Sequence, residues 1–160
     1  MRMSYRVCVV CMGNICRSPM AEVVLRKTLA DHGLGDAVSV DSAGTGGWHQ
    51  GHPMDERASA MLADHGYDGS SHRARQFLAG WFGQVDLVLA MDTDNLRALR
   101  RLAPAGSDVR LFRSFDPAAP PGAEVPDPYY GDREGFADVL EMVRAASKGL
   151  AEHLSRALRR

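Results

Sequence analysis

Cysteine is scarce in this chain. There are three, all between Cys8 and Cys16, so no disulfide framework is available. Long apolar runs are missing as well. The stretch near the N-terminus is too short for a signal peptide or a membrane span, and no later one reaches spanning length. Charge of one sign is not in excess either. Nineteen Lys and Arg oppose twenty Asp and Glu, for a formal net charge of −1. That balance argues against a nucleic-acid binder working through a large basic field. The six histidines are scattered, and His49 and His52 flank a loop without the carboxylate set a metal would want. Internal repeats and linker-like stretches are absent. What remains is an ordinary globular balance, 45% hydrophobic and 24% charged over 160 residues. It suits one domain, residues 1–160, with a core of its own. A soluble, cytoplasmic protein with no membrane or nucleic-acid partner is expected.

Val7–Val10 is apolar and rich in β-branched residues, so Tyr5–Val10 reads as a buried parallel strand. Pro19 suits the first turn of a helix, where its missing N–H costs nothing. Ala21, Val24, Leu25, Thr28 and Leu29 recur at helical spacing, and Gly33 is a stop. Ala37–Ser42 alternates as a second strand, and Ala43–Gly47 reads as a loop, followed by Trp48 and His49. Asp55–His65 is a helix ended by Gly66, and Arg73–Gly83 carries a shorter helical signal with aromatic residues. Val85–Met91 is a third strand. Asp92 can cap the next helix, whose apolar face holds Leu96, Leu99 and Leu102. Val109–Phe112 is a fourth strand. A segment rich in Pro and Gly runs from Arg113 to Arg133. The last helix spans about Glu134 to Leu158, with Phe136, Val139, Leu140, Val143, Leu150 and Leu154 on one face. Strands alternating with helices predict an α/β fold with a parallel sheet covered on both faces. Ligands in such folds gather beyond the carboxyl ends of the strands.

At that end of the first strand stands Cys11-Met12-Gly13-Asn14-Ile15-Cys16-Arg17-Ser18-Pro19. A bend between a strand and a helix N-terminus collects unpaired backbone N–H groups, which favour an anion together with the helix dipole. Gly13 lets the backbone curl and approach a ligand closely. Arg17 adds a planar fork that matches two phosphate oxygens. The same N–H groups stabilise a sulfur anion, so Cys11 at the floor of the cradle is suited to attack phosphorus held above it. Five residues separate Cys11 from Arg17, enough chain to wrap a tetrahedral anion. Ser18 is either a helix N-cap or a hydroxyl donor to the sulfur. Cys8, inside the strand, reads as packing. A Walker-type nucleotide loop requires a Gly-Lys-Ser/Thr ending that this stretch lacks.

Expelling an alcohol or phenol from a phosphate ester calls for a proton donor. Long irregular loops in compact domains are usually functional or disordered, and this one holds Val125-Pro126-Asp127-Pro128-Tyr129-Tyr130-Gly131. Prolines on both sides stiffen Asp127, and Tyr129 and Tyr130 could line a mouth for a flat ring. A Pro-rich turn begun by Asp reads the same way, and Asp116-Pro117 in the same loop is a second candidate acid.

Together these stretches resemble the low-molecular-weight protein tyrosine phosphatases across essentially the whole chain. "VCMGNICRSPMAE" is similar to their phosphate-binding loop and following helix. "DSAGT", "HRARQ", "LAMD" with Asn95, and "DPYYG" are similar to family segments in the same order. The resemblance implies a single-domain three-layer sandwich with a four-stranded parallel sheet, helices on both faces, and no metal or cofactor. It implies Cys11 as the nucleophile that becomes a phosphocysteine, Arg17 as the ligand of the phosphoryl oxygens, and Asp127 as the acid that later serves as base toward water. Met12, Gly13, Asn14, Ile15, Cys16 and Ser18 would form the phosphate loop, with Ser18 donating to Cys11. Asn14 would hold the loop's strained backbone with help from Ser42 and His72. Trp48, Tyr129 and Tyr130 would wall the substrate ring. Ile15 resembles tyrosine-phosphate members, where arginine-phosphate members have Thr. Cys16 would form a reversible disulfide with oxidised Cys11. The implied partners are phosphotyrosine proteins or peptides, with inorganic phosphate as product. Two other functions compete. An arsenate reductase on the same scaffold needs further downstream cysteines, and none follows Cys16. A phosphotyrosine-binding module would need a disabled site, whereas nucleophile, arginine and candidate acid are all present.

Overall fold

Side chains on a strand alternate between faces, and in this protein the alternation along residues 7–11 separates two hydrophobic layers. Val7, Val9 and Cys11 belong to one cluster, Cys8 and Val10 to the other. The computed structural model describes residues 4–129 and 131–158. Its strands are β1 (Tyr5–Cys11), β2 (Val38–Gly44), β3 (Leu87–Ala90) and β4 (Val109–Leu111). Its helices are α1 (Arg17–Asp31), α2 (Glu56–Asp64), α3 (Thr93–Leu102) and α4 (Arg133–Ala157), with 3-10 turns at Ala79–Gly83 and Phe112–Phe115.

All strand pairs are parallel, in the order β2-β1-β3-β4. On one face the apolar sides of α1, α2 and α4 cover Val7, Val9, Val38, Val40, Leu87 and Leu89. On the other, Leu99 of α3 and Phe77 cover Cys8, Val10, Val88 and Ala90, with Trp81 and Phe82 packed against them. The α/β class, the four-stranded parallel sheet and the two helical layers are those expected. The chain leaves β1 toward β2 on one side and returns to β3 on the other. That reversal opens a crevice above the carboxyl end of β1, where Cys11 stands. Among the described residues no helix is long and apolar enough to cross a membrane.

Two segments differ from the sequence expectation. Ser42–Gly44, read partly as loop, continues β2 and pairs with Val9–Cys11. Gly44 is required there: a Cβ would lie 2.7 Å from the Met12 carbonyl oxygen, so the backbone of the 12–16 loop rests directly on it. Arg73–Leu78 is extended instead of helical. Gly44 donates to the Arg75 carbonyl at 2.8 Å and accepts from the Phe77 N–H at 2.8 Å, which draws this stretch against the end of β2. The helical signal is kept only at Ala79–Gly83, the 3-10 turn that carries Trp81 and Phe82. Phe77 packs edge-on against Trp81 and Phe82, with ring centroids 5.4 and 4.9 Å away, and closes the second layer.

Candidate active site

The helix that follows Cys11 begins at Arg17, with Cys16 in the cap position and no side-chain cap. The N–H groups of its first turn are therefore left for a ligand. Pro19 lies in that turn, as expected. Ser18 lies inside the helix, and its hydroxyl is used elsewhere: Ser18 Oγ is 3.0 Å from Cys11 Sγ. The Asn14 N–H also donates to that sulfur, at 3.3 Å. Ser18 accepts from Asn14 Nδ2 at 2.9 Å, which leaves the hydroxyl proton to choose between the sulfur and the Ala43 carbonyl at 3.3 Å. An anionic sulfur wins that choice, because charge-assisted hydrogen bonds are the stronger ones.

Asn14 is the one non-glycine among the described residues with a left-handed backbone, φ 59°. Its side chain is fully used. Nδ2 donates to Ser18 and, at 3.0 Å, to Ser42 Oγ; Oδ1 accepts from the Arg75 N–H at 2.9 Å. His72 Nε2 meets the Asn14 carbonyl at 2.7 Å, and Ser42 donates onward to Glu22 at 2.6 Å. Burial pulls the His72 imidazole below its ordinary value, against the opposing pull of the Asn14 carbonyl and the Glu22 carboxylate. These bonds outweigh the strain of the left-handed position, about 1–2 kcal/mol for a side-chain-bearing residue. Asn14→Ala should therefore cost roughly 2–4 kcal/mol in urea unfolding, and Asn14→Gly about 1 kcal/mol less. Equal losses would mean that the backbone strain does not contribute.

Arg17 is buried and held on one side. Its Nη1 donates to Asp92 Oδ2 at 2.6 Å and to the Val125 carbonyl at 3.0 Å. Burial works against its charge, but the Cys11 sulfur and the Asp92 carboxylate overcome it and raise the guanidinium above its ordinary value. Asp92 acts twice, since its other oxygen caps α3 by accepting from the Asn95 N–H at 2.7 Å. Asp127 approaches from the opposite wall, with Oδ2 3.7 Å from Arg17 Nη2 and Oδ1 accepting from the Tyr129 N–H at 3.1 Å. Its segment is docked onto the sheet by the Val125 N–H on the Met91 carbonyl, at 2.7 Å. Asp116 stands outside this arrangement and starts a turn by accepting from the Ala118 N–H.

The result is a cleft of about 160 Å³ lined by the 11–13 and 15–17 stretches, His49, Asp127 and Tyr129. Of the residues singled out in the sequence, Cys11, Met12, Gly13, Ile15, Cys16, Arg17, Asp127 and Tyr129 meet there. Asn14, Ser18, Ser42 and His72 form the scaffold behind the loop. Trp48 does not line the cleft: it is 71% exposed, with its ring over Gly46. Tyr130 lies outside the described residues. Cys16 is buried, and burial pushes its thiol well above the ordinary value. Cys8 is pushed up in the same way inside the second core layer, as a packing residue would be. Sequence reasoning missed His49 and Asp92 as parts of the site. Asp92 follows β3, the strand beside β1, and the crevice rule was a signal for it.

Comparison with known proteins adds three likenesses and a family. A family model described as Low molecular weight phosphotyrosine protein phosphatase matches residues 6–160. A Low molecular weight protein-tyrosine-phosphatase of Streptomyces coelicolor is 62% identical over 152 residues, covering 92% of each chain. Low molecular weight protein-tyrosine phosphatase A of Mycobacterium tuberculosis is 46% identical over 152 residues, covering 94% of this chain and 92% of its own. A crystal structure of a protein tyrosine phosphatase from Entamoeba histolytica superposes with a TM-score of 0.92 at 33% identity, covering 98% of this chain and 100% of its own.

Proposed function

The chain belongs to the low molecular weight protein-tyrosine phosphatase family, and from that premise we propose that it hydrolyses phosphotyrosine and related aryl phosphates through a phosphocysteine on Cys11. The observation that carries this reading is the convergence of Cys11, Arg17 and Asp127 on one narrow cleft. In the first step the Cys11 sulfur attacks phosphorus in line. The S–P bond forms, the P–O bond to the aryl group breaks, and Asp127 gives its proton to the departing phenolate oxygen. N–H groups of the loop other than that of Asn14, which is given to the sulfur, join the Arg17 fork to hold the three equatorial oxygens, where charge accumulates. In the second step the Asp127 carboxylate takes a proton from water as its oxygen attacks phosphorus. The S–P bond breaks, the sulfur recovers its charge under the Ser18 hydroxyl, and inorganic phosphate leaves.

Met12, Ile15, His49 and Tyr129 suit the flat face of an aryl ester. Trp48, exposed beside His49, is available to peptide residues flanking the phosphotyrosine. The same reading takes the protein as a cytoplasmic enzyme acting on phosphotyrosine proteins or peptides without metal or cofactor, since each charge and proton has a residue assigned to it. Cys16 has a second part in it. Held as a thiol by burial, it does not compete as nucleophile. When a peroxide oxidises Cys11 to a sulfenic acid, the Cys16 sulfur attacks the Cys11 sulfur; its thiol proton leaves with the sulfenic hydroxyl as water, and a thiol reductant reverses the disulfide.

Rapid quenching during turnover of p-nitrophenyl phosphate, followed by peptide mapping, should find phosphate on Cys11. Turnover without that label would overturn the covalent mechanism. Tight phosphotyrosine-peptide binding without phenolate release would mark a binding module instead.

A further inference from the structure

To act on a group held by the phosphate loop, Asp127 must stay in register with that loop across the cleft, and its described neighbours Tyr129 and Gly131 are tied to the loop's side. Arg17 reaches across to the Val125 carbonyl and Asp127, and a second side chain also joins the two sides. Arg57, in the first turn of α2, is gripped by Asp55 through Nε on Oδ1 at 3.2 Å and Nη2 on Oδ2 at 3.0 Å. Asp55 is itself tied to the phosphate loop, its N–H donating to the Ile15 carbonyl at 2.9 Å. From that anchor the guanidinium lies 5.3 Å from the centre of the Tyr129 ring and 4.8 Å from that of the buried Phe136 ring in α4. Its Nη1 reaches the Gly131 carbonyl at 3.4 Å. The acid loop is thus gripped at Tyr129 and Gly131, and the Tyr129 N–H is the group that holds Asp127 Oδ1.

We infer that Arg57 is a positioning residue for the acid step: the Ile15–Asp55–Arg57–Tyr129 chain fixes Asp127 over Cys11. This rests on the reading of Asp127 as proton donor. The fork and plane of a guanidinium are both needed, since two edges grip Asp55 and Gly131 while the face meets aromatic rings. An arginine that merely fastened α2 to α4 would stabilise the fold without regard to the leaving group.

The leaving group therefore separates the two roles. kcat/KM is measured for aryl phosphates from phenyl to 2,4-dinitrophenyl in wild type, Arg57→Ala, Arg57→Lys, Asp127→Ala and the Arg57→Ala/Asp127→Ala double variant. Asp127→Ala should lose far more on phenyl phosphate than on the dinitrophenyl ester. Arg57→Ala should follow in miniature, about tenfold down on phenyl phosphate and within about twofold of wild type on the activated ester. Arg57→Lys should not rescue it. In the Asp127→Ala background, removing Arg57 should change rates by less than about twofold. A smaller folded fraction lowers every substrate alike, so it cannot imitate this slope. Equal loss across the series for both Arg57 variants, or a full additional loss in the double variant, would reduce Arg57 to a structural staple. A flat profile for Asp127→Ala alone would instead remove the acid assignment itself, and this inference with it.

Discussion

Cys11→Ser is expected to lower turnover of p-nitrophenyl phosphate by at least about 10⁴-fold while leaving inorganic phosphate binding intact. The loss has a chemical origin. A hydroxyl is protonated at neutral pH and needs a base to become a nucleophile, and the groups around this position are donors: the Asn14 N–H and the Ser18 hydroxyl. They stabilise an anion already formed and cannot take a proton from an alcohol. Binding depends on other atoms, the loop N–H groups and Arg17, whose partners Asp92 and Val125 are untouched by the change. A serine there adds no charge to the floor of the cradle, so phosphate affinity should stay the same or rise. Steady-state assays and phosphate titration calorimetry check the two halves separately. Residual turnover above about 1% of wild type would assign the nucleophile elsewhere, because losing an essential nucleophile costs orders of magnitude more.

How far the sequence revealed this site depended on the distance over which each feature is decided. Cys11, Gly13 and Arg17 were legible because they lie within seven residues on a strand-to-helix bend. The bend itself is decided locally, whereas the left-handed turn at Asn14 within it is held by the distant Ser42, His72 and Arg75. Ser18 was ambiguous between cap and sulfur partner; it lies inside α1 and not at its cap, and its hydroxyl sits 3.0 Å from Cys11 Sγ. Asp127 and Asp116 were indistinguishable by composition. What separates them is the docking of Val125 onto Met91 and Arg17, which carries one of the two carboxylates into the cleft. Asp92 was legible as a helix cap and illegible as the partner of Arg17, a contact that spans 75 positions. His49 and Trp48 are adjacent, so which ring faces inward is set by the path of the Gly-rich loop. The ring of Trp48 folds over Gly46, where any side chain would collide with it. The helical signal over Arg73–Gly83 holds only for its second half, the 3-10 turn Ala79–Gly83 with Trp81 and Phe82, because Arg73–Leu78 is drawn against the end of β2 by Gly44, a long-range contact.

The second large effect is expected at Arg17, and the informative substitution is Lys. Arg17→Ala would leave Asp92 Oδ2 and the Val125 carbonyl without the Arg17 donor, while Asp92 Oδ1 keeps the Asn95 N–H. That should destabilise the fold by roughly 2–4 kcal/mol, less than a fully buried pair because Asp92 keeps some contact with water. Any loss of activity would then be mixed with loss of structure. Lysine keeps the charge and can satisfy Asp92, so its stability should stay within about 1 kcal/mol of wild type. What it cannot do is serve Asp92 and Val125 with one nitrogen while presenting a second, coplanar donor to the phosphoryl group. In the loose transition state the equatorial oxygens carry the most charge, and a misdirected donor there costs about 10²–10³-fold. Arg17→Lys should accordingly show kcat/KM down by that factor, with most of the loss in kcat and a smaller one in phosphate affinity. If instead KM alone rose and kcat held, Arg17 would be binding substrate and transition state equally, and the stabilisation of the transferring group would have to come from the loop amides alone.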